Sequence, residues 1–292
     1  MDPSASAVEN ARRLALSSPS FLFEEPKHLL LREFREPAGY NSCLKSIARG
    51  NRKLGHICSD LRCRTSDVTP YLSALCDAGL VERRVPVTEG EHSRRGRYVI
   101  ADPFTALWFR FASPHRADIE LHETGRAEED LRAHFIDSHV SFVFEDISRG
   151  ELRRHLKAAG VAARYGSYWD GGTEIGVVAL DSEHGTAYVG ECKYRESPVG
   201  EDVLDSLVRK ASAVEAFDGM RIVPCLFSVS GYTEGAVREA ERTGVVLFDR
   251  GEPVTTIPTS VRGQPRPSAE LRFPSIRQRI SEPYWHSLTR SR

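Results

Sequence analysis

The chain has 292 residues, 40% hydrophobic and 28% charged; this excludes a wholly disordered protein and suggests two domains at about 150 residues each. Forty Lys and Arg stand against 41 Asp and Glu, a formal charge of −1, so only a locally basic surface could hold nucleic acid. There is no apolar run near the roughly 20 residues of a membrane span, no secretory apolar core at the N-terminus, and too few cysteines (six) for a disulfide scaffold. A cytoplasmic protein with reduced thiols is the expectation.

Residues 1–25 are small and polar and read as a flexible arm. From Pro26, apolar residues recur at helical spacing. Leu29, Leu30 and Phe34 form one face, and Tyr40, Leu44 and Ile47 a second. Leu54, Ile57, Cys58 and Leu61 form a third; Val68, Leu72, Leu75 and Cys76 form a fourth, closed by Gly79. The period then changes to that of strands at Leu80–Val85 and again at Arg97–Ile100. Short helices followed by a two-stranded ribbon predict a winged helix-turn-helix domain over residues 26–114. Pro70 is expected either at the first helical position behind a Thr69 cap or as a distortion; both shorten the helix. Trp108, with Phe104, Phe109 and Phe111, is expected at a hydrophobic joint between domains.

Residues 115–257 read as an α/β domain. A helix is expected over about Glu128–Leu156, interrupted at Gly150. Asp170-Gly171-Gly172 between two strand-like runs is a strong hairpin signal. A third strand runs over Thr186–Lys193, and helix, strand, helix and strand follow to Phe248, an order that implies a mixed sheet. Residues 258–292, rich in Pro, Ser and Arg, read as a tail.

Gly190-Glu191-Cys192-Lys193 ends the third strand. Alternation puts Glu191 and Lys193 on one face and turns Cys192 to the other. A carboxylate beside an ammonium suits a metal-dependent phosphodiesterase, the acid holding Mg²⁺ and the lysine orienting the attacking water. The plain alternative is a surface salt bridge. The preceding strand, Thr173–Leu180, carries Glu174, and an upstream helix carries Glu145.

This arrangement resembles the PD-(D/E)xK nuclease superfamily, in which a helix Glu, a strand Asp and an E-x-K converge. The chain also resembles domains of unknown function found at the C-terminus of archaeal and bacterial AAA-type ATP-binding proteins. That likeness runs from about Phe21 to Phe248. It rests on Phe21-Leu22-Phe23-Glu24-Glu25-Pro26, Arg35-Glu36-Pro37, Leu80–Pro86, Tyr98–Phe104, Leu107–Phe111, Glu174–Ala179 and Gly190–Lys193. It implies a restriction-endonuclease-like mixed-sheet domain after the winged helix, with Glu145, Glu174, Glu191 and Lys193 as catalytic candidates and Glu191 and Glu174 as metal ligands. The chain departs from the pattern where the strand Asp should stand, at Gly176. Glu174, two residues earlier on the same face, is the candidate substitute, about 6.6 Å away along the strand. Mg²⁺ binding is therefore expected to be weak or lost. No G-x-x-x-x-G-K-[ST] is present, so no ATP site is expected.

DNA is the expected partner of the winged helix, through Ser66 and Thr69 on the last of its helices and through Arg83, Arg84, Arg94, Arg95 and Arg97 in the ribbon. Three readings follow. One is a DNA-associated protein with an impaired nuclease fold. The second is an active Mg²⁺-dependent endonuclease. The third is a non-enzymatic partner of a separately encoded ATPase.

Overall fold

The computed structural model of the chain describes residues 2, 4–17 and 21–255, the side chain of Phe21 aside. These form two units. The first holds the described residues up to Val85 together with His92–His139; the second holds Pro86–Glu91 and the described residues from Val140 onward. The tail expected over 258–292 lies outside the described residues. Among those described, no helix is long and apolar enough to cross a membrane.

The expected N-terminal arm is helical instead. Helix α1, Ala7–Ala15, is capped by Ser6, whose Oγ accepts from the Glu9 N–H at 3.1 Å. Ala11, Ala15 and Leu16 are buried, so these residues are small because they pack closely. Helix α2, Phe21–Glu33, runs through Pro26 rather than starting after it. Helices α3 (Ala38–Ala48), α4 (Leu54–Leu61) and α5 (Thr65–Asp77) follow. Of the apolar positions at helical spacing, Leu30, Leu44, Ile47, Ile57, Cys58, Val68, Leu72 and Leu75 are buried, while Leu29, Phe34, Tyr40, Leu54, Leu61 and Cys76 are half-buried. Gly79, at φ +70°, ends α5, and the Leu80 N–H bonds back to the Leu75 carbonyl at 2.9 Å. Strands β1 (Val81–Arg84) and β2 (Arg97–Ile100) pair antiparallel, from Val81 opposite Ile100 to Arg84 opposite Arg97.

Pro70 does not shorten α5. The helix begins at Thr65 and continues through Pro70 to Asp77. Its start is held by Asp67, whose carboxylate accepts from the Arg64 N–H at 3.3 Å. Proline removes one backbone bond, and burial of Val68, Leu72 and Leu75 on either side keeps the helix whole.

Asp102 caps helix α6, Pro103–Leu107, accepting from the Thr105 N–H at 2.6 Å, with Pro103 at the first position. The chain then widens into a π-helical turn at Trp108–Ala112. Trp108 lies in the core of the first unit. Its Nε1–H donates to the Phe23 carbonyl at 2.8 Å, and its ring meets Phe23 and Phe109 edge to face. Helices α7 (Arg116–Glu120) and α8 (Gly125–Phe135) complete the unit. The boundary expected near residue 115 thus falls at 139/140, because Ile119, Leu131 and Phe135 are buried in this unit.

The long helix expected over 128–156 is broken by a π-helical turn at Ile136–Val140, not at Gly150. Helix α9, Ser141–Ala158, carries Gly150 without interruption. Strands β3 (Arg164–Asp170) and β4 (Thr173–Asp181) are joined by Gly171-Gly172, with the Gly171 N–H bonded to Asp170 Oδ1 at 2.7 Å. Then come β5 (Thr186–Lys193), α10 (Glu201–Ser212), β6 (Arg221–Ser228), α11 (Glu234–Thr243), β7 (Val246–Asp249) and β8 (Glu252–Pro253). The six strands lie in the order β3-β4-β5-β6-β7-β8. Pairing is antiparallel from β3 to β5, parallel from β5 to β7, and antiparallel again at β8.

Helices cover both faces of this sheet. On one, Leu226 and Leu247 cluster with Leu204 of α10 and Ala236 and Ala240 of α11. On the other, Phe248 meets His155 of α9. Residues 86–91, between the two strands of the ribbon, join this unit. Val87 is buried in the core that holds Tyr168 and Leu207, and its N–H donates to the Ser167 carbonyl at 2.8 Å.

Candidate functional site: a carboxylate between two lysines

Strand β4 carries a bulge that decides what faces what. Gly166 pairs with Val178 but Tyr168 pairs with Ile175, so Gly176 and Val177 together stand opposite Ser167 alone. The extra residue reverses the alternation. Ile175 and Val178, three apart, both enter the core that holds Leu207 and Ala211 of α10. Gly176 turns the other way, toward α9, where a Cβ on it would lie 2.7 and 2.8 Å from the carboxyl oxygens of Glu145. The Gly176 carbonyl, displaced from the ladder, accepts from Ser167 Oγ at 2.8 Å and from the Arg149 guanidinium at 2.9 Å.

Glu191 lies on the opposite face. Lys193 donates to its Oε1 at 3.0 Å, as the E-x-K alternation implies, and Lys210 of α10 donates to its Oε2 at 2.9 Å. Burial pushes the Glu191 carboxyl up, but Lys210 and Lys193 outweigh it and hold the group below the usual carboxylate range. Cys192 faces away from this pair, toward Ser148 of α9, and burial pushes its thiol up.

Glu145 is the reverse case. Burial raises its carboxyl to about 7; Arg149 opposes the rise, and Glu174, Asp146 and Glu191 add to it in decreasing measure. Near neutral pH this acid is part-protonated.

The sequence expectation sets Glu174 and Glu191 as joint metal ligands with Gly176 as the gap between them; the bulge moves that gap. Unbroken antiparallel pairing would set residue 176 beside Glu191. The bulge instead sends Gly176 to the α9 face, where Glu174 adds to the rise of the Glu145 carboxyl. Among the described residues no three His, Cys, Asp or Glu side chains group closely enough to hold a metal ion. With an ammonium group on each oxygen of Glu191 and no group of three acids around it among the described residues, the site fits Mg²⁺ poorly.

The nucleic-acid candidates of the first unit are largely engaged within it. On α5, Ser66 Oγ donates to Asp67 at 2.9 Å and Thr69 Oγ1 donates to the Thr65 carbonyl at 2.8 Å; both residues are exposed. Arg83 donates to the Ser93 carbonyl and lies against Gly96, where any Cβ would meet its guanidinium. Arg84 pairs with Glu82 at 2.9 Å. Arg95 and Arg97 have partners of their own, and Arg94 and Arg95 are exposed. Lys210, like Arg149 and Ser167, is a site residue that the sequence did not flag. It lies 17 residues beyond Lys193 in a helix whose apolar spacing marks Val203, Leu204, Leu207 and Ala211.

Residues 108–207, which span Glu145, Gly176, Glu191 and Lys193, match the model of a family described as archaeal and bacterial proteins of unknown function, DUF234. Over 180 residues the chain is 36% identical to an uncharacterised protein of Methanocaldococcus jannaschii, a match taking in 61% of this chain and 40% of that protein. The chain thus spans well under two thirds of that relative's length. Among solved structures, it is similar to a repair endonuclease from Pyrococcus abyssi, with 17% identity over 36% of this chain and 46% of that one, at a TM-score of 0.27. Protein VC1899 of Vibrio cholerae gives 12% identity over 83% of this chain and 52% of that one, at a TM-score of 0.28.

Proposed function

We propose that this is a DNA-associated protein with a winged-helix module and a restriction-endonuclease-like domain that has lost cleavage, its affinity for divalent metal weak or absent. The observation that carries this reading is the state of the E-x-K carboxylate. Glu191 is neutralised by Lys193 and Lys210, and the neighbouring strand brings it no second acid, because Gly176 has no side chain and faces Glu145. Hydrolysis of a phosphodiester by a metal ion needs carboxylates converging on that ion at near-octahedral geometry. Catalysis falls steeply with misplacement of such groups. The helices and antiparallel ribbon of the first unit support the winged-helix half of the reading, and the exposed Arg94 and Arg95 offer it a way to hold phosphate.

A plasmid assay tests this. Supercoiled DNA incubated with the protein should stay intact in Mg²⁺ and in Mn²⁺, while a labelled duplex is bound in a salt-dependent manner. Nicking that Glu191→Ala abolishes would overturn the reading and return the site to an active endonuclease.

A further inference from the structure

Glu191 is held from two elements that are distant in sequence. Lys193 follows it on β5, and Lys210 comes from the last turn of α10. The connection from β5 through α10 to the parallel strand β6 lays this helix along the face that Glu191 occupies. One lysine would have neutralised the carboxylate. Two leave the group with a charge of +1.

An ammonium has three N–H donors, and each lysine uses one of them on Glu191. The lysine side chains are 35% and 33% exposed, against 24% for the carboxylate beneath them. Spare donors from two cations therefore reach solvent side by side, their spacing fixed by the two oxygens of one carboxylate. A tetrahedral oxyanion can accept from both at once. A divalent cation meets net positive charge there.

We propose that Lys210 and Lys193 form a metal-independent site for a phosphate group, that of a nucleic-acid backbone, with Lys210 supplying the positive charge that a divalent ion would otherwise bring. This rests on the DNA-associated reading above and adds to it the ligand group and the residue. Glu191 then positions the two lysines and takes no part in chemistry.

The test is a lysine-acetylation footprint of the full chain, read by mass spectrometry. The probes are a 12-nucleotide DNA oligonucleotide and inorganic phosphate, each in EDTA and in Mg²⁺. The oligonucleotide should shield Lys193 and Lys210 equally in both buffers, and excess phosphate should remove that shielding by competition. In Lys210→Met, Lys193 should lose its shielding by at least about fivefold, as expected when one charge-assisted hydrogen bond is removed. Lys210→Arg, which keeps the charge, should retain it, and melting curves confirm that both variants fold. No shielding of the wild type, shielding only in Mg²⁺, or unchanged Lys193 shielding in Lys210→Met overturns the proposal. Shielding by phosphate alone overturns its nucleic-acid part. Nicking of plasmid by a wild type that is still shielded in EDTA would sink the impaired-nuclease reading and leave this one standing. An uncleaved plasmid with no shielding would do the reverse.

Discussion

The two units carry opposite kinds of half-buried titratable group, only six residues apart in the chain. His139 is the last described residue of the first unit, stacked on Phe135. Burial lowers its imidazole to about 4, and only the Asp102 charge opposes this. Glu145 is in the second unit, and burial raises its carboxyl to about 7. Each prefers to be neutral, but for a base and an acid that preference acts at opposite ends of the pH scale. His139 contributes stability above its unfolded value of 6.5, which is lost as pH falls toward 4. Glu145 contributes stability below its unfolded value of 4.5, which is lost as pH rises toward 7. The first unit should weaken in acid and the second toward alkaline pH. Burial is the largest cause of both trends.

A substitution that ignores pH tests the limits of this contrast and should have the largest effect. Trp108→Ala removes a ring that is 2% exposed and leaves the Phe23 carbonyl without its donor. A loss of about 3–5 kcal/mol is expected, equal at pH 5 and pH 8 in urea denaturation. Unchanged melting would mean that the ring is not packed as described.

Next comes the acid that defines the second unit. Glu145→Gln keeps the shape and removes the charge. It should stabilise the protein at pH 8 by up to about 3 kcal/mol and change little at pH 4. The matching variant, His139→Gln, should flatten the decline of stability between pH 6.5 and 4 by a similar amount. Parallel pH profiles for both variants and the wild type would break the comparison.

A smaller effect probes the packing behind it. A Cβ at residue 176 would collide with the Glu145 carboxyl, the far end of a flexible side chain that can swing aside. Gly176→Ala should cost about 1–3 kcal/mol. It should also shrink the alkaline loss of stability, since the displaced carboxyl reaches water. A larger alkaline loss would show that the carboxyl stays buried.

The smallest effect belongs to the ribbon, where charge lies at the surface. Replacing Arg94, Arg95 and Arg97 with Ala should leave stability within about 0.5 kcal/mol. It should reduce the salt slope of DNA binding by at most about 0.9 for each phosphate that is no longer neutralised. An unchanged slope would mean that DNA is held elsewhere on the protein.

Much of the local architecture was legible in the sequence because its causes are local. Asp170-Gly171-Gly172 turns with the Asp170 side chain accepting from the Gly171 N–H. Gly79 ends α5 because a left-handed residue is needed there. Glu191 and Lys193 share a face because strand alternation has a period of two, and the order of strands and helices was enough to imply a mixed sheet. Other features depended on interactions between residues far apart. Helix α1 forms where small polar residues suggested an arm, because burial of Ala11, Ala15 and Leu16 decides it. Pro26 and Pro70 sit within helices because packing outweighs one missing hydrogen bond. The bulge at Gly176 depends on Ser167 and Arg149 receiving its carbonyl. Because that bulge reverses a face, no counting along β4 could place Gly176 relative to Glu191. Lys210 reaches Glu191 only through the crossover from β5 to β6. Rules of two, three and four residues specify the elements, while the site is set by burial and pairing across tens of residues, so it is the tertiary structure that determines which charges meet.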